Sequence, residues 1–284
     1  MKTIPTGTVR KTPAKPLPPS ALSRTLTVLP ALLLAASCGP STSPATIEFA
    51  PVWASKPISC TTAAGGLLLT DLRFYISNVE MIDASGAAHP VRLDETAWQS
   101  TEVALLDFED GSGACENGTA ETNETLHFQL AGHDYIGIRL QLGVPFELNH
   151  ADPLQASPPL DDSAMHWHWR SGYKFIRAGV SSETDGFWLH TGSAGCEGTV
   201  QNISGCRFPN RVTIELPDFR VDKDRVLFDF AALLKGTDLT DALPGDCSSG
   251  PAEAACSAPF AALGIDFATG ERAAAQAVFR ATPK

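Results

Sequence analysis

The segment Met165-His166-Trp167-His168-Trp169 puts a thioether, two imidazoles and two indoles into five residues of a 284-residue chain. The whole chain holds only three methionines, seven histidines and five tryptophans. Thioether and imidazole together suit a soft copper ion, Cu(I), better than they suit a hard cation. If residues 165–169 are extended, alternation sets Met165, Trp167 and Trp169 on one face and His166 and His168 on the other. Composition alone reads the same run as a core strand, with aromatics inward and histidines in solvent. Two further histidines stand in motif-like surroundings, His190 in Trp188-Leu189-His190-Thr191 and His150 in Leu148-Asn149-His150-Ala151-Asp152. His89, His127 and His133 lie in polar turn or edge contexts and are expected in solvent.

Four stretches carry a resemblance to a known family. They are Leu72-Arg73-Phe74-Tyr75-Ile76-Ser77-Asn78-Val79, then Leu142-Gly143-Val144-Pro145-Phe146-Glu147-Leu148-Asn149-His150-Ala151-Asp152-Pro153. The run Met-x-Trp-x-Trp-x-x-Gly-Tyr-Lys-Phe from Met165 follows, and Leu189-His190-Thr191-Gly192-Ser193-Ala194-Gly195-Cys196 closes the set. In this order, and with a C-terminal cysteine pair, the chain resembles the MbnP family of copper-binding proteins, encoded in methanobactin operons and beside other copper-homeostasis genes. The resemblance implies an exported protein that holds one Cu(I) with a methionine, a histidine and solvent. It also implies that the first tryptophan of Trp-x-Trp, here Trp167, is oxidised to kynurenine by a partner di-haem enzyme of the MauG/cytochrome c peroxidase type, MbnH. Opening the indole would expose a carbonyl and an aniline nitrogen able to orient metal-bound solvent.

On that implication Met165 is the expected methionine ligand and His190 the expected histidine, with His150 as the alternative. Trp169 and Trp188 are expected to line the site. Trp188 is also the alternative to Trp167 as the modified residue, because it shares a strand face with His190. His166 and His168 occupy the variable positions of the motif and are expected to form at most an accessory site for Cu(II) or zinc. Met81 reads as core. Relatives often carry a methionine after the first cysteine of the C-terminal pair, where this chain has Ser248.

The elements that would position these residues are strands. Period-two alternation or β-branched and aromatic enrichment marks residues 46–52, 69–81, 103–108, 125–130, 135–142, 173–177, 187–190, 212–216 and 226–230. Turn clusters such as Asp110-Gly111-Ser112-Gly113 separate them. The expected fold is mainly β, an antiparallel β-sandwich-like single domain over residues 46–284. Short helices are expected at 230–234 and 260–263, in a loop-rich, disulfide-stapled C-terminal part.

The N-terminal segment 1–37 contains Lys2, Arg10, Lys11, Lys15 and Arg24 and no acid, and it ends in the apolar run 26–37. This reads as a secretory signal peptide, too short to span a membrane. Small residues before Cys38 and the tether-like stretch 38–45 point to lipidation of Cys38, with ordinary signal cleavage nearby as the alternative. The expected location is the periplasm or cell envelope, with membrane attachment through a lipid anchor alone. Without the first 37 residues, sixteen Lys and Arg face 32 Asp and Glu, which makes nucleic acid a poor partner.

Setting Cys38 aside leaves six cysteines in an oxidising compartment. Short loops favour Cys196 with Cys206 and Cys247 with Cys256, which leaves Cys60 with Cys115. A cysteine metal site is the rival reading.

The leading expectation is a copper-handling protein with no turnover of its own. A carbohydrate- or surface-binding sandwich would use Trp167, Trp169, Trp188 and Tyr173 as a stacking platform. A hydrolase is poorly supported, since Thr191-Gly192-Ser193-Ala194-Gly195 misses the first glycine of a nucleophile elbow. A copper oxidase lacks a complete ligand set.

Overall fold

A computed structural model describes residues 13, 14 and 16 and residues 41–284 except 133, 201, 240–246 and 251. The signal peptide, Cys38 and His133 lie outside the described residues. The chain runs through β1 (Thr42–Trp53), β2 (Lys56–Pro57), β3 (Leu68–Asp83), β4 (Ala88–Pro90), β5 (Val103–Asp107), β6 (Thr125–Ala131) and β7 (Tyr135–Leu142). The short α1 (Phe146–Asn149) leads into β8 (His166–His168), β9 (Gly172–Ser181), β10 (Gly186–Gly192), β11 (Ala194–Thr199), β12 (Asn202–Phe208), β13 (Val212–Pro217) and β14 (Asp224–Asp229). α2 (Phe230–Leu233), α3 (Ser257–Ala262) and β15 (Phe279–Pro283) complete it.

Two sheets form. One runs β15-β14-β1-β2 with β6 also on β1; the other runs β10-β9-β3-β7-β13, with β4 and β5 on β3 and β8 on β9. β11 and β12 make a separate hairpin. Pairing is antiparallel except that β1 meets β14 in parallel, Phe49 opposite Val226. Between the sheets the Phe74 ring of β3 stands 5.9 Å from Phe49, 5.9 Å from Phe108, 5.7 Å from Phe228 and 5.6 Å from Phe279. One ring thus locks β3 to three strands of the opposite sheet, β1, β14 and β15.

The structure moves some expected boundaries. Residues 42–45 are not tether: they pair along β6, from Thr42 opposite Ala131 to Ala45 opposite Phe128, because β1 extends to meet that whole strand. β11, β12 and β15 had no strong alternation; the first two are short and polar, and β15 is recruited by pairing with β14. The helices expected at 230–234 and 260–263 are short ones at Phe230–Leu233 and Ser257–Ala262.

All six paired cysteines join as expected. Cys60–Cys115 closes the loop after β5 onto the segment before β3, Cys196–Cys206 ties directly opposite residues of β11 and β12, and Cys247–Cys256 closes a ten-residue loop. No helix of the described residues is long and apolar enough to cross a membrane.

Truncation of Phe74 to Ala would remove the shared partner of four aromatic rings. Urea denaturation of Phe74→Ala is expected to show a loss of about 3–5 kcal/mol, and a loss below about 1 kcal/mol would mean that the sheets are not held through this ring.

Candidate functional site

The large sheet is buried on both faces. On β3, Leu72, Phe74 and Ile76 point into the sandwich and alternate with Asp71, Arg73 and Tyr75, yet all six are buried. Loops cover the second face. Tyr75 Oη donates to the Pro159 carbonyl (3.1 Å) and Tyr173 Oη to the Leu160 carbonyl (2.7 Å), which binds the stretch before β8 onto the sheet. On β10, Phe187, Leu189 and Thr191 are buried in the sandwich, while Trp188 and His190 alternate to the loop-covered face and are half-buried.

That face carries a row of charge. His190 of β10 is directly opposite Arg177 of β9, Arg177 opposite Arg73 of β3, and Arg73 opposite Asp107 of β5. Arg73 grips Asp71 through Nε (3.0 Å) and Nη2 (2.6 Å) and reaches Glu109 at 2.6 Å; Arg177 Nε meets the same Asp71 oxygen at 2.6 Å. Burial, with Asp71 nearby, pushes Glu109 up to about 7, and burial lifts Asp107 to about 6.

His190 sits at the open end of this row. Its ring centroid is 6.4 Å from Trp167 and 6.1 Å from Trp188, edge-on to both, at 82° and 63°. Trp167 reaches it because residue 192 is glycine: a Cβ there would lie 3.3 Å from the Trp167 ring and 2.6 Å from the Tyr173 carbonyl oxygen. The backbone of β10 is finished by the Cys247–Cys256 loop. His190 N–H donates to the Cys247 carbonyl (2.8 Å), and Ser249 Oγ donates to the His190 carbonyl (3.1 Å) while accepting from Gly192 N–H (2.8 Å). Ser248, flanked by these contacts, donates its N–H to Glu253 (2.5 Å).

Among the described residues, two histidines have a buried ring nitrogen without a hydrogen-bond partner, His190 at Nε2 and His150 at Nδ1. They are not equivalent. Asn149 accepts from Tyr173 N–H through Oδ1 and donates through Nδ2 to the Ser171 carbonyl (3.0 Å) and to His150 Nε2 (3.1 Å). The two contacts through Oδ1 and to Ser171 fix the amide, so His150 Nε2 accepts and the neutral ring carries its proton on Nδ1. The unpartnered atom of His150 is therefore an N–H, whereas no such contact occupies Nε2 of His190. His150 packs on Phe146 (4.8 Å between centroids) and the Cys196–Cys206 disulfide.

The straight strand expected over 165–169 is only three residues long. Met165 and Trp169 fall in turns beside β8, so alternation applies to residues 166–168 alone. Met165 is fully buried in the core cluster, its carbonyl accepting from Lys174 N–H at 2.8 Å. His166 stands edge-on to Tyr173 at 5.3 Å, and His168 is exposed, its Nδ1 accepting from Arg170 N–H at 3.3 Å. Trp169 is half-buried under Arg170, whose guanidinium lies 4.9 Å from the ring.

Among the described residues, the three His/Cys/carboxylate groups close enough to hold a cation are each built on a disulfide: His150 with Cys196 and Cys206, Asp110 with Cys60 and Cys115, and Glu253 with Cys247 and Cys256. A disulfide sulfur carries no thiolate charge, so none of the three is a thiolate metal centre. Ser193 is buried and donates to the Pro209 carbonyl (3.3 Å) between two strands, which is not the exposed elbow of a hydrolase.

The sequence reading missed Asp71, Arg73, Glu109, Lys174 and Arg177. The signal was present in Asp71-Leu72-Arg73, two opposite charges at i and i+2 in an otherwise apolar strand, which places them on one face as a pair.

Burial, helped by Lys174, Arg177 and Arg73, lowers His190 from 6.5 to about 4. The folded state then binds fewer protons than the unfolded chain between those values, so this group's contribution makes stability rise with pH across about 4 to 6.5. Imidazole resonances of the metal-free protein are expected to show His190 neutral at pH 6; a His190 midpoint near 6.5 would contradict the buried environment described.

A family model for MbnP matches residues 42–249. Among solved structures, MbnP from Methylosinus trichosporium is similar with a TM-score of 0.78 and 26% identity, over 86% of this chain and 99% of that one. Comparison with curated protein sequences finds no match. With the family model covering well over half of the sequence and the fold shared along nearly the whole of that relative, the chain belongs to the MbnP family.

Proposed function

We propose that this chain is an exported copper-binding protein that holds one Cu(I) with Met165 and His190 beside Trp167, and that it acts in copper homeostasis without turnover of its own. The observation that carries the reading is the buried, unpartnered Nε2 of a neutral imidazole set between two indole rings. An unpaired buried nitrogen costs about 1–3 kcal/mol, and a metal bond would remove that cost. Thioether and neutral imidazole are a donor set that fits Cu(I), and the bound ion would supply a soft site open to solvent or exchange.

The chain's own residues do the positioning. Gly192 lets the Trp167 ring approach the histidine, the Cys247–Cys256 loop holds the backbone of His190 at both its N–H and its carbonyl, and Tyr75 and Tyr173 tie down the segment that leads to Met165. Between the two histidines, the proton on Nδ1 of His150 and the Asn149 bond on its Nε2 favour His190 as the ligand. Trp167 is the residue assigned to kynurenine formation by a di-haem MbnH-type partner, with Trp188 on the other side of His190. The rings of Trp167 and Trp188 stand edge-on to His190 and half-buried, which favours a lined pocket over the flat, exposed platform that a glycan would need. His166 and His168 remain an accessory Cu(II) or zinc pair at most. Cleavage of the N-terminal segment and lipidation at Cys38 would place the protein in the periplasm, on a lipid anchor.

Co-expression with a di-haem MbnH-type enzyme, followed by peptide mass spectrometry and copper analysis, tests this directly. The Trp167 peptide should gain about 4 Da, from one oxygen gained and one carbon lost, and one copper should be bound per chain. His190→Ala should weaken Cu(I) binding by more than the roughly 10–100-fold cost of altering a residue behind a ligand. Intact Trp167 together with no bound copper would overturn the reading; an unaltered affinity in His190→Ala would overturn the ligand assignment.

A further inference from the structure

We infer that Lys174 makes the site selective for a monovalent over a divalent metal ion, by holding against it a positive charge that enters no ion pair among the described residues; this rests on the copper reading above.

Among the described residues three cations act on His190, and two of them are ion-paired. Arg73 and Arg177 share Asp71, and Arg73 also meets Glu109, so both are held in ion pairs with buried carboxylates. Lys174 differs. Its Nζ donates to the Ala164 carbonyl at 2.7 Å, and it enters no ion pair among the described residues. Two backbone connections tie its strand position to the neighbourhood of the proposed ligands. Its backbone N–H donates to the carbonyl of Met165, and its strand position is opposite Gly192, two residues along β10 from His190. The ammonium is held by the carbonyl of the residue that precedes one proposed ligand, and its charge acts on the other, His190.

A fixed unit charge repels a dication twice as strongly as a monocation, and in a half-buried site solvent screens that difference only in part. Neutral thioether and imidazole ligands add no anion to offset it. A divalent ion therefore loses relative to Cu(I), and the protein needs no extra ligand to discriminate.

The test uses the full mature chain. Affinities for Cu(I), for the redox-inert pair Ag(I) and Zn(II), and the Cu(II)/Cu(I) midpoint potential are measured for wild type, Lys174→Gln, which keeps a donor for Ala164, and Lys174→Arg, which keeps the charge. Lys174→Gln is expected to lower the Ag(I)-to-Zn(II) preference about tenfold and the potential by the equivalent of about 59 mV, with Lys174→Arg close to wild type. Ser163→Asp, an exposed change next to Ala164, should lower both in the same direction even if Lys174→Gln fails to fold. An unchanged preference in both neutralising variants, or an equal fall in Lys174→Arg, overturns the inference alone. A folded wild type that binds neither Cu(I) nor Ag(I) overturns the copper reading and this inference with it.

Discussion

Asp71 and Glu109 are buried carboxylates on the loop-covered face of the large sheet, and Arg73 and Arg177 hold them there. An isolated charge in such a place would cost several kcal/mol, so the four residues stand or fall together. Breaking the set by removing one partner strands the others in a dry environment. The loops that cover this face can settle only where the charges beneath them are matched. The second layer of the molecule, with its tyrosines, tryptophans and His190, is thus built on an electrostatic constraint, whereas the first layer is built on the phenylalanines around Phe74.

Disulfides complete the second layer where strands end. β10 is the edge of its sheet, and an edge strand presents unpaired N–H and C=O groups. Here the loop closed by Cys247–Cys256 takes up those of Trp188 and His190. A ten-residue loop closed covalently gains about 3 kcal/mol relative to its open form, which is comparable to the ordering cost of the few residues that dock. A loop in this position serves two ends, finishing a sheet edge and fixing the backbone on which the candidate ligand is mounted. The Cys196–Cys206 bond does the corresponding work for the hairpin that follows Gly192, and His150 rests on it.

Strands with strong alternation, such as 69–81 and 135–142, were legible from the sequence because one of their faces must be apolar wherever they pack. β11, β12 and β15 were not, since their partners rather than their own patterns determine them. Short loops favoured two of the disulfide pairs, and Cys60 with Cys115 was what remained. At the site, Trp188 and His190 were expected to share a strand face, and the structure keeps them there. The five-residue motif was less faithful: alternation assumed a straight strand through Met165 and Trp169, but both lie in turns. The charged layer was least legible of all. Arg73, Arg177 and Lys174 come from separate strands, and only the register that sets Arg73 against Arg177 and Arg177 against His190 brings their charges to one place.

That register also explains why a neutral histidine survives among cations. On an exposed face His190 would titrate in the ordinary range and compete for protons with any metal. Covered by loops and near the charges of Lys174, Arg177 and Arg73, its protonated form is disfavoured and the ring stays neutral across physiological pH. The same positive surroundings that keep the proton away act on any other cation that approaches, and they act less on one charge than on two. A soft, uncharged donor set can offset that penalty for a monovalent ion with strong affinity for sulfur and nitrogen, and it has no means to offset it for a hard divalent ion. On the proposed copper reading, the charged layer would couple two properties that are usually arranged separately: a ligand that needs no deprotonation and a site that discriminates by charge.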